Sequence, residues 1–397
     1  MKRAFVLVSL SLSAWWIAAS VVPGEMREAS AQQAQTAPAG SRPTQDKPEG
    51  FGASAKGGEG GKVITVTSLA DSGPCTLREA IAQKGPRIIQ FGVEGDIELK
   101  SRLACTEGRI TIDGSTAPGK GITLVNHGLR FLNCEDIVVR HLRVRVTTGG
   151  ASGDGILFWG KDGKKAGTAL VDHCSFMGAT DEIVNTWGQV QDVTFQWCII
   201  AEGKPPHNKA WLSGVGSDRI TIHHCLLAGC EDRNPKLEGG LYDFANNVVC
   251  GWGNNNATKV RLGAGVNIVG NTYIPGKASA PQKGCVFIED PPKEAKLYVS
   301  GNISPLTPAS GGPEDQWTIV TLNEKVDGKW VERRPAPDVH RAGKPFDAPS
   351  VTTQPAARAC QLVLDRAGAA VRDEADLRVI KGVRDRLIAA TSRPARN

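Results

Sequence analysis

The chain has 397 residues, of which 46 are glycine and 22% are charged, with a formal net charge of +6. That much glycine with so little charge suits a turn-rich β protein and argues against a disordered or largely helical chain. The positive excess is small and no run of five Lys or Arg occurs, so nothing points to a nucleic-acid partner; a mild attraction for acidic polysaccharides remains.

At the N-terminus, Lys2 and Arg3 precede an apolar run from Ala4 to Val22 and the small-x-small site Ala29-Ser30-Ala31. Residues 1–31 are expected to be a secretory signal peptide, the alternative being an N-terminal membrane anchor. With the signal cleaved, the protein is expected in the periplasm or outside the cell, without stable membrane association. Residues 32–49, rich in Gln, Ala, Pro, Ser and Thr, read as a polar linker. Thr76-Leu-Arg-Glu79 has the Ser/Thr-x-x-Glu spacing of a capping box, predicting a short helix that covers the open end of whatever follows.

Residues 50–302 repeat. Ile110–Ser115, Ile137–Leu142, Ala169–Cys174, Val193–Cys198, Ile220–Cys225, Tyr242–Asn247, Val266–Asn271 and Leu297–Asn302 share a pattern of alternating apolar residues closed by a polar or aromatic residue and a small one. A period-two strand recurring every 20–30 residues or so cannot bury its inward face alone, whereas stacked copies bury a continuous core. The expected fold is all-β, a right-handed single-stranded parallel β-helix; a β-propeller, the alternative, lacks its own repeat motif here. In register, Cys174, Cys198 and Cys225 form an inward column that packs as small hydrophobes, and Asn247, Asn271 and Asn302 continue it as an amide ladder. Cys75 and Cys105 are the candidate disulfide pair. Residues 303–397 leave the repeat: an irregular Pro- and Gly-rich flank to 358, then helical periodicity over Cys360–Ala370 and Asp373–Ala390.

Several motifs resemble bacterial pectate lyases of polysaccharide lyase family 1: Ser72–Ala80, Gly114–Gly119, Val171–Phe176, Thr180-Asp-Glu182, Asp232–Lys236, Asn246–Val249 with Gly251-Trp-Gly253, and Ala367–Ala369 with Arg372-Asp373. The resemblance covers about residues 50–275 and the tail. It implies a parallel β-helix, Ca2+ as cofactor, and cleavage of α-1,4-linked polygalacturonate by β-elimination to unsaturated oligogalacturonides, by a protein expected to be monomeric.

The chemistry explains the residue types. Removing the C5 proton beside a carboxylate builds negative charge that the site must neutralise, and calcium is held by several oxygen ligands. By resemblance, Asp154 and Asp181 are the first calcium aspartates, and the third carboxylate position holds Asn185, whose carbonyl ligates without adding charge. Glu182 is either a further ligand or a solvated neighbour. Lys209 matches the lysine that grips the uronate and Arg233 the arginine that removes the proton, its alternative being an ion pair with Glu231 or Asp232. A second family arginine is replaced by Glu238, leaving Lys236 as the substitute substrate contact. Trp187 and Trp211 are candidate sugar platforms, with core packing the alternative for each. Asp172, His173, His223 and His224 read as structural. Two rival functions stay open: a hydrolase on the same solenoid, disfavoured because adjacent Asp181 and Glu182 would point to opposite strand faces, and a non-catalytic polysaccharide-binding β-helix.

Overall fold

A computed structural model describes residues 46–147, 153–253, 257–289, 294–307 and 313–391. The expected signal peptide and most of the expected linker lie outside these residues. Among the described residues no helix is long and apolar enough to cross a membrane.

The repeats form a parallel β-solenoid. Each coil contributes one strand to each of three sheets, two of ten strands and one of eight. The eight repeats found in the sequence lie in one ten-stranded sheet, the repeat sheet, between Ile110–Asp113 and Lys296–Ser300. Every pairing in it is parallel, with Ala169, Val193 and Ile220 in one column and Val171, Phe195 and Ile222 in the next. Those inward columns are fully buried and form one core along the axis.

From Ile137–Leu142 onward each repeat ends at a tight corner where one residue takes a positive φ, among them His173 (50°), Trp197 (55°), His224 (52°) and Asn246 (55°). The next residue turns inward and joins the ladder. The Cys198 amide donates to Cys225 Sγ (3.4 Å), and the Cys225 amide to Asn247 Oδ1 (2.9 Å). Asn247 donates to Asn271 Oδ1 (2.8 Å), Asn271 to Asn302 Oδ1 (2.9 Å), and Asn302 to Gln316 Oε1 (2.7 Å). Each buried backbone donor at the corner is thus received by the following coil, which matters because an orphaned one costs about 1–3 kcal/mol. Outside this column His173 Nδ1 contacts Asp172 Oδ1 at 2.7 Å, and the rings of Trp197 and His224 stack with centroids 4.3 Å apart.

Helix α1 (Leu77–Ala82) caps the first coil, with Thr76 Oγ1 accepting the Glu79 amide and Glu79 Oε2 accepting the Cys75 amide at 2.7 Å. The expected Cys75–Cys105 bridge is absent. Cys75 is exposed on a positive-φ turn, whereas Cys105 points into the core beside Cys134 and Arg87. At the other end the flank is more regular than expected: Val320–Val326 adds in parallel to Val286–Glu289 and then folds back as a hairpin with Lys329–Arg333. Helices α2 (Ala356–Arg366) and α3 (Glu374–Thr391) bury Val363, Leu364, Ile380 and Val383 against Ile199, Leu226, Val248 and Ile274 of the eight-stranded sheet.

Candidate active site

The second ten-stranded sheet carries the candidate residues. Its strands include β1 (Leu129–Leu132), β2 (Ile156–Gly160), β3 (Glu182–Gly188), β4 (Lys209–Ser213), β5 (Lys236–Glu238) and β6 (Thr258–Arg261). Parallel register stacks equivalent positions: Arg130, Leu157, Asn185, Leu212, Lys236 and Lys259 form one outward column. Inward positions alternate with them, as in any pleated strand.

At the start of β2 and β3 three acids converge. One oxygen each of Asp154, Asp181 and Glu182 lies within 4.8 Å of the others. Asp181 sits at the bend before β3 rather than within it, so strand alternation does not separate it from Glu182. The sequence-based objection to that pair fails for this reason, and Glu182 belongs to the cluster. Burial, with Asp181 and Asp154 nearby, pushes the Glu182 carboxyl up to about 8, although Arg233 opposes this. Burial likewise raises Asp154 to about 6. Burial would raise Asp181 too, but hydrogen bonds with Glu182 and His207 hold it below the ordinary value; His207 Nδ1 lies 2.7 Å from its Oδ1. Asn185 Nδ2 donates to Asp154 Oδ1 at 3.3 Å, while its own Oδ1 is buried with no hydrogen-bond partner among the described residues. Crowded carboxylates beside an orphaned carbonyl oxygen form a donor set suited to a hard cation such as Ca2+.

Lys209, paired in register with Glu182, opens β4 half-buried, and among the described residues it makes no ion pair. Arg233 has a positive φ of 60° and sends its guanidinium to Glu182. Its expected ion-pair alternatives are not used: Asp232 accepts the Arg233 amide and pairs with Lys259 at 3.0 Å. Lys236 is brought to the same face but is engaged by Glu238 at 3.1 Å.

Trp187 is 42% exposed on this face, its ring lying over Gly214. Trp211 is not a platform. It pairs with Val184 at an inward position, fully buried, its ring 4.5 Å from Phe195 and its Nε1 donating to Ser213 Oγ at 2.9 Å. Sequence reasoning missed Trp159, which stands beside Trp187 in register beneath Arg130 (5.5 Å) and Lys161 (5.4 Å). The signal was there: Trp159 and Trp187 hold the same phase of adjacent coils.

No family model matches the chain. By sequence it is 36% identical over 255 residues to a probable pectate lyase C of Emericella nidulans, covering 64% of this chain and 55% of that protein. A probable pectate lyase C of Aspergillus flavus is 38% identical over 231 residues, covering 57% and 53%. The chain thus spans about half the length of these curated relatives. Among solved structures, pectate lyase II from Xanthomonas campestris pv. campestris aligns with a TM-score of 0.55 at 18% identity, covering 82% of this chain and 98% of that one. A pectate lyase from Bacillus sp. N165, in complex with trigalacturonate, aligns with a TM-score of 0.54 at 16% identity, covering 82% and 99%. These structures share the β-helix fold. The resemblance is to pectate lyases, but these sequence relatives are fungal, not the bacterial members that the motifs suggested.

Proposed function

We propose that the chain is an exported, monomeric, calcium-dependent pectate lyase that cleaves α-1,4-polygalacturonate by β-elimination. The observation that carries this reading is the convergence of Asp154, Asp181 and Glu182 with the unpartnered Asn185 Oδ1, directly beside Lys209 and Arg233. Asp154, Asp181, Glu182 and Asn185 would hold the ion, which supplies positive charge against a uronate carboxylate and its developing enolate. Lys209, which makes no ion pair among the described residues, binds and orients the uronate. Arg233 removes the C5 proton. Its guanidinium is held by Glu182 in this structure, so Arg233 reaches the substrate only when Glu182 is engaged elsewhere in the acidic cluster. Residues 1–31 would direct export.

One observation favours a second reading. A carboxyl raised to about 8 (Glu182) beside one held ionised (Asp181) is also how acid and base roles are divided in hydrolysis. Ultraviolet absorbance of unsaturated product separates the two. The full chain is incubated with polygalacturonate at alkaline pH, with calcium, with chelator, and as Arg233→Ala. The lyase reading expects calcium-dependent unsaturated product that disappears in the variant. Product surviving the substitution removes Arg233 as base. New reducing ends without unsaturation establish the hydrolase, and no product on pectate or methylated pectin leaves a polysaccharide-binding protein.

A further inference from the structure

The outward face of the site sheet is divided electrostatically, and the division falls near Arg233. On one side lie cations without carboxylate partners. Lys209 and Arg130 make no ion pair among the described residues, the buried Arg130 Nε has no hydrogen-bond partner, and Arg130 and Lys161 both lie over the Trp159 ring. On the other side three cations are fully answered by three acids. Lys236 lies 3.1 Å from Glu238 and 3.8 Å from Glu289; Lys259 lies 3.0 Å from Asp232 and 3.5 Å from Glu289. Arg261 lies 3.8 Å from Glu238 and 3.6 Å from Glu289.

We infer that the two halves take different sugars: uronate carboxylates bind on the Arg130–Lys209 side, and uncharged, methyl-esterified galacturonosyl residues bind on the Glu238–Glu289 side. This deepens the galacturonan reading proposed above and rests on it. A carboxylate arriving over Lys236 or Arg261 would meet Glu238 and Glu289 at the same range as the cation it sought. It could gain a charge-assisted hydrogen bond only by displacing one already made. An ester has no such conflict. Room for its methyl group adjoins: a cavity of about 530 Å³ is walled by Glu238, Val215, Leu262 and a set of glycines, with Glu238 its one charged residue. An apolar wall with little side-chain bulk accepts a methoxy group and offers a carboxylate nothing.

The test is calorimetric binding, in an Arg233→Ala background with calcium, of hexagalacturonate and of the same hexamer about half methyl-esterified. The unsubstituted lattice is expected to bind the esterified hexamer about tenfold more tightly, the worth of roughly one charge-assisted contact. Glu238→Gln leaves Lys236 and Arg261 with Glu289 as their shared acid, and should tighten the fully charged hexamer by about tenfold while leaving the esterified one nearly unchanged. Arg130→Ala, on the other half, should weaken both. Thermal unfolding checks each variant; should Glu238→Gln not fold, the more exposed Glu289→Gln interrogates the same lattice. Equal affinities that Glu238→Gln does not move, or a preference for the charged hexamer, overturn the inference while the lyase reading stands on its unsaturated product. Failure to bind either hexamer overturns both.

Discussion

Replacing Asn185 by aspartate tests whether the acidic cluster is a cation site. In the native chain the Asn185 amide donates to Asp154 Oδ1 at 3.3 Å, an attraction between neutral donor and acid. Asn185→Asp turns that contact into a like-charge one, with Asp181 and Glu182 close behind. Two unit charges about 4 Å apart interact by about 4 kcal/mol at the effective dielectric of a half-buried site. Part of this escapes through proton uptake, because burial has already lifted Asp154 to about 6 and Glu182 to about 8. About 2 kcal/mol should survive as added preference for the cation-bound state, a calcium Kd roughly thirtyfold tighter. Calorimetric calcium titration at pH 9, where the acids are mostly ionised, measures it. Thermal unfolding supplies the counterpart: in chelator the variant should melt below the native chain, and saturating calcium should close or reverse the gap. A Kd within threefold of native, with unchanged melting in chelator, would refute the argument, since the added charge would then sit where no cation binds.

Three further outcomes follow from the geometry. Gly214→Ala would place a Cβ 2.1 Å from the Trp187 ring, and since that ring is exposed it should swing away rather than unfold the strand; we expect altered tryptophan fluorescence and a KM for polygalacturonate raised severalfold at nearly unchanged Tm. Asn271→Ala removes the acceptor of the Asn247 amide and Nδ2 and the donor to Phe244 O, all buried, so denaturant unfolding should show a loss of about 3–5 kcal/mol. Asp243 lies beneath the segment around Phe346, both of whose backbone groups Asn267 engages, and burial raises its carboxyl to about 6. A raised folded-state value means that its penalty is absent below about pH 4, builds between about pH 4 and 6, and is constant above that. Asp243→Asn should therefore stabilise by roughly 2–3 kcal/mol at pH 8 and by almost nothing at pH 3.5, read from denaturant midpoints at the two pH values.

The solenoid was legible because its determinants are local and recur: alternation at Ile220-Thr-Ile222 and a small residue at the corner carry the same information in every coil. The ladder was legible for the same reason, down to the change from cysteine to asparagine after Cys225. What escaped depended on neighbours in other coils. Trp211 and Trp187 look alike in sequence, and only the register Val184↔Trp211 turns one inward. The placement of Glu182 turned on a bend at Asp181 that strand periodicity does not encode. Lys236 lies on the site face, but its neutralisation by Glu238 and Glu289 joins residues from two coils, Lys236–Glu238 and Val286–Glu289.

The corner ladder also runs one way. From Cys198 onward each coil hands its backbone donor to the next, and the last recipient, Gln316, lies beyond the final repeat. Gln316 is the terminator of a zipper whose teeth close in sequence order. A truncation after residue 302 would leave Asn302 with an open donor and expose the whole row to unpicking from that end. Lengthening the protein by splicing in extra coils would instead be tolerated between Asn247 and Asn302, where giver and receiver are both asparagine and any inserted unit can present the same two hands.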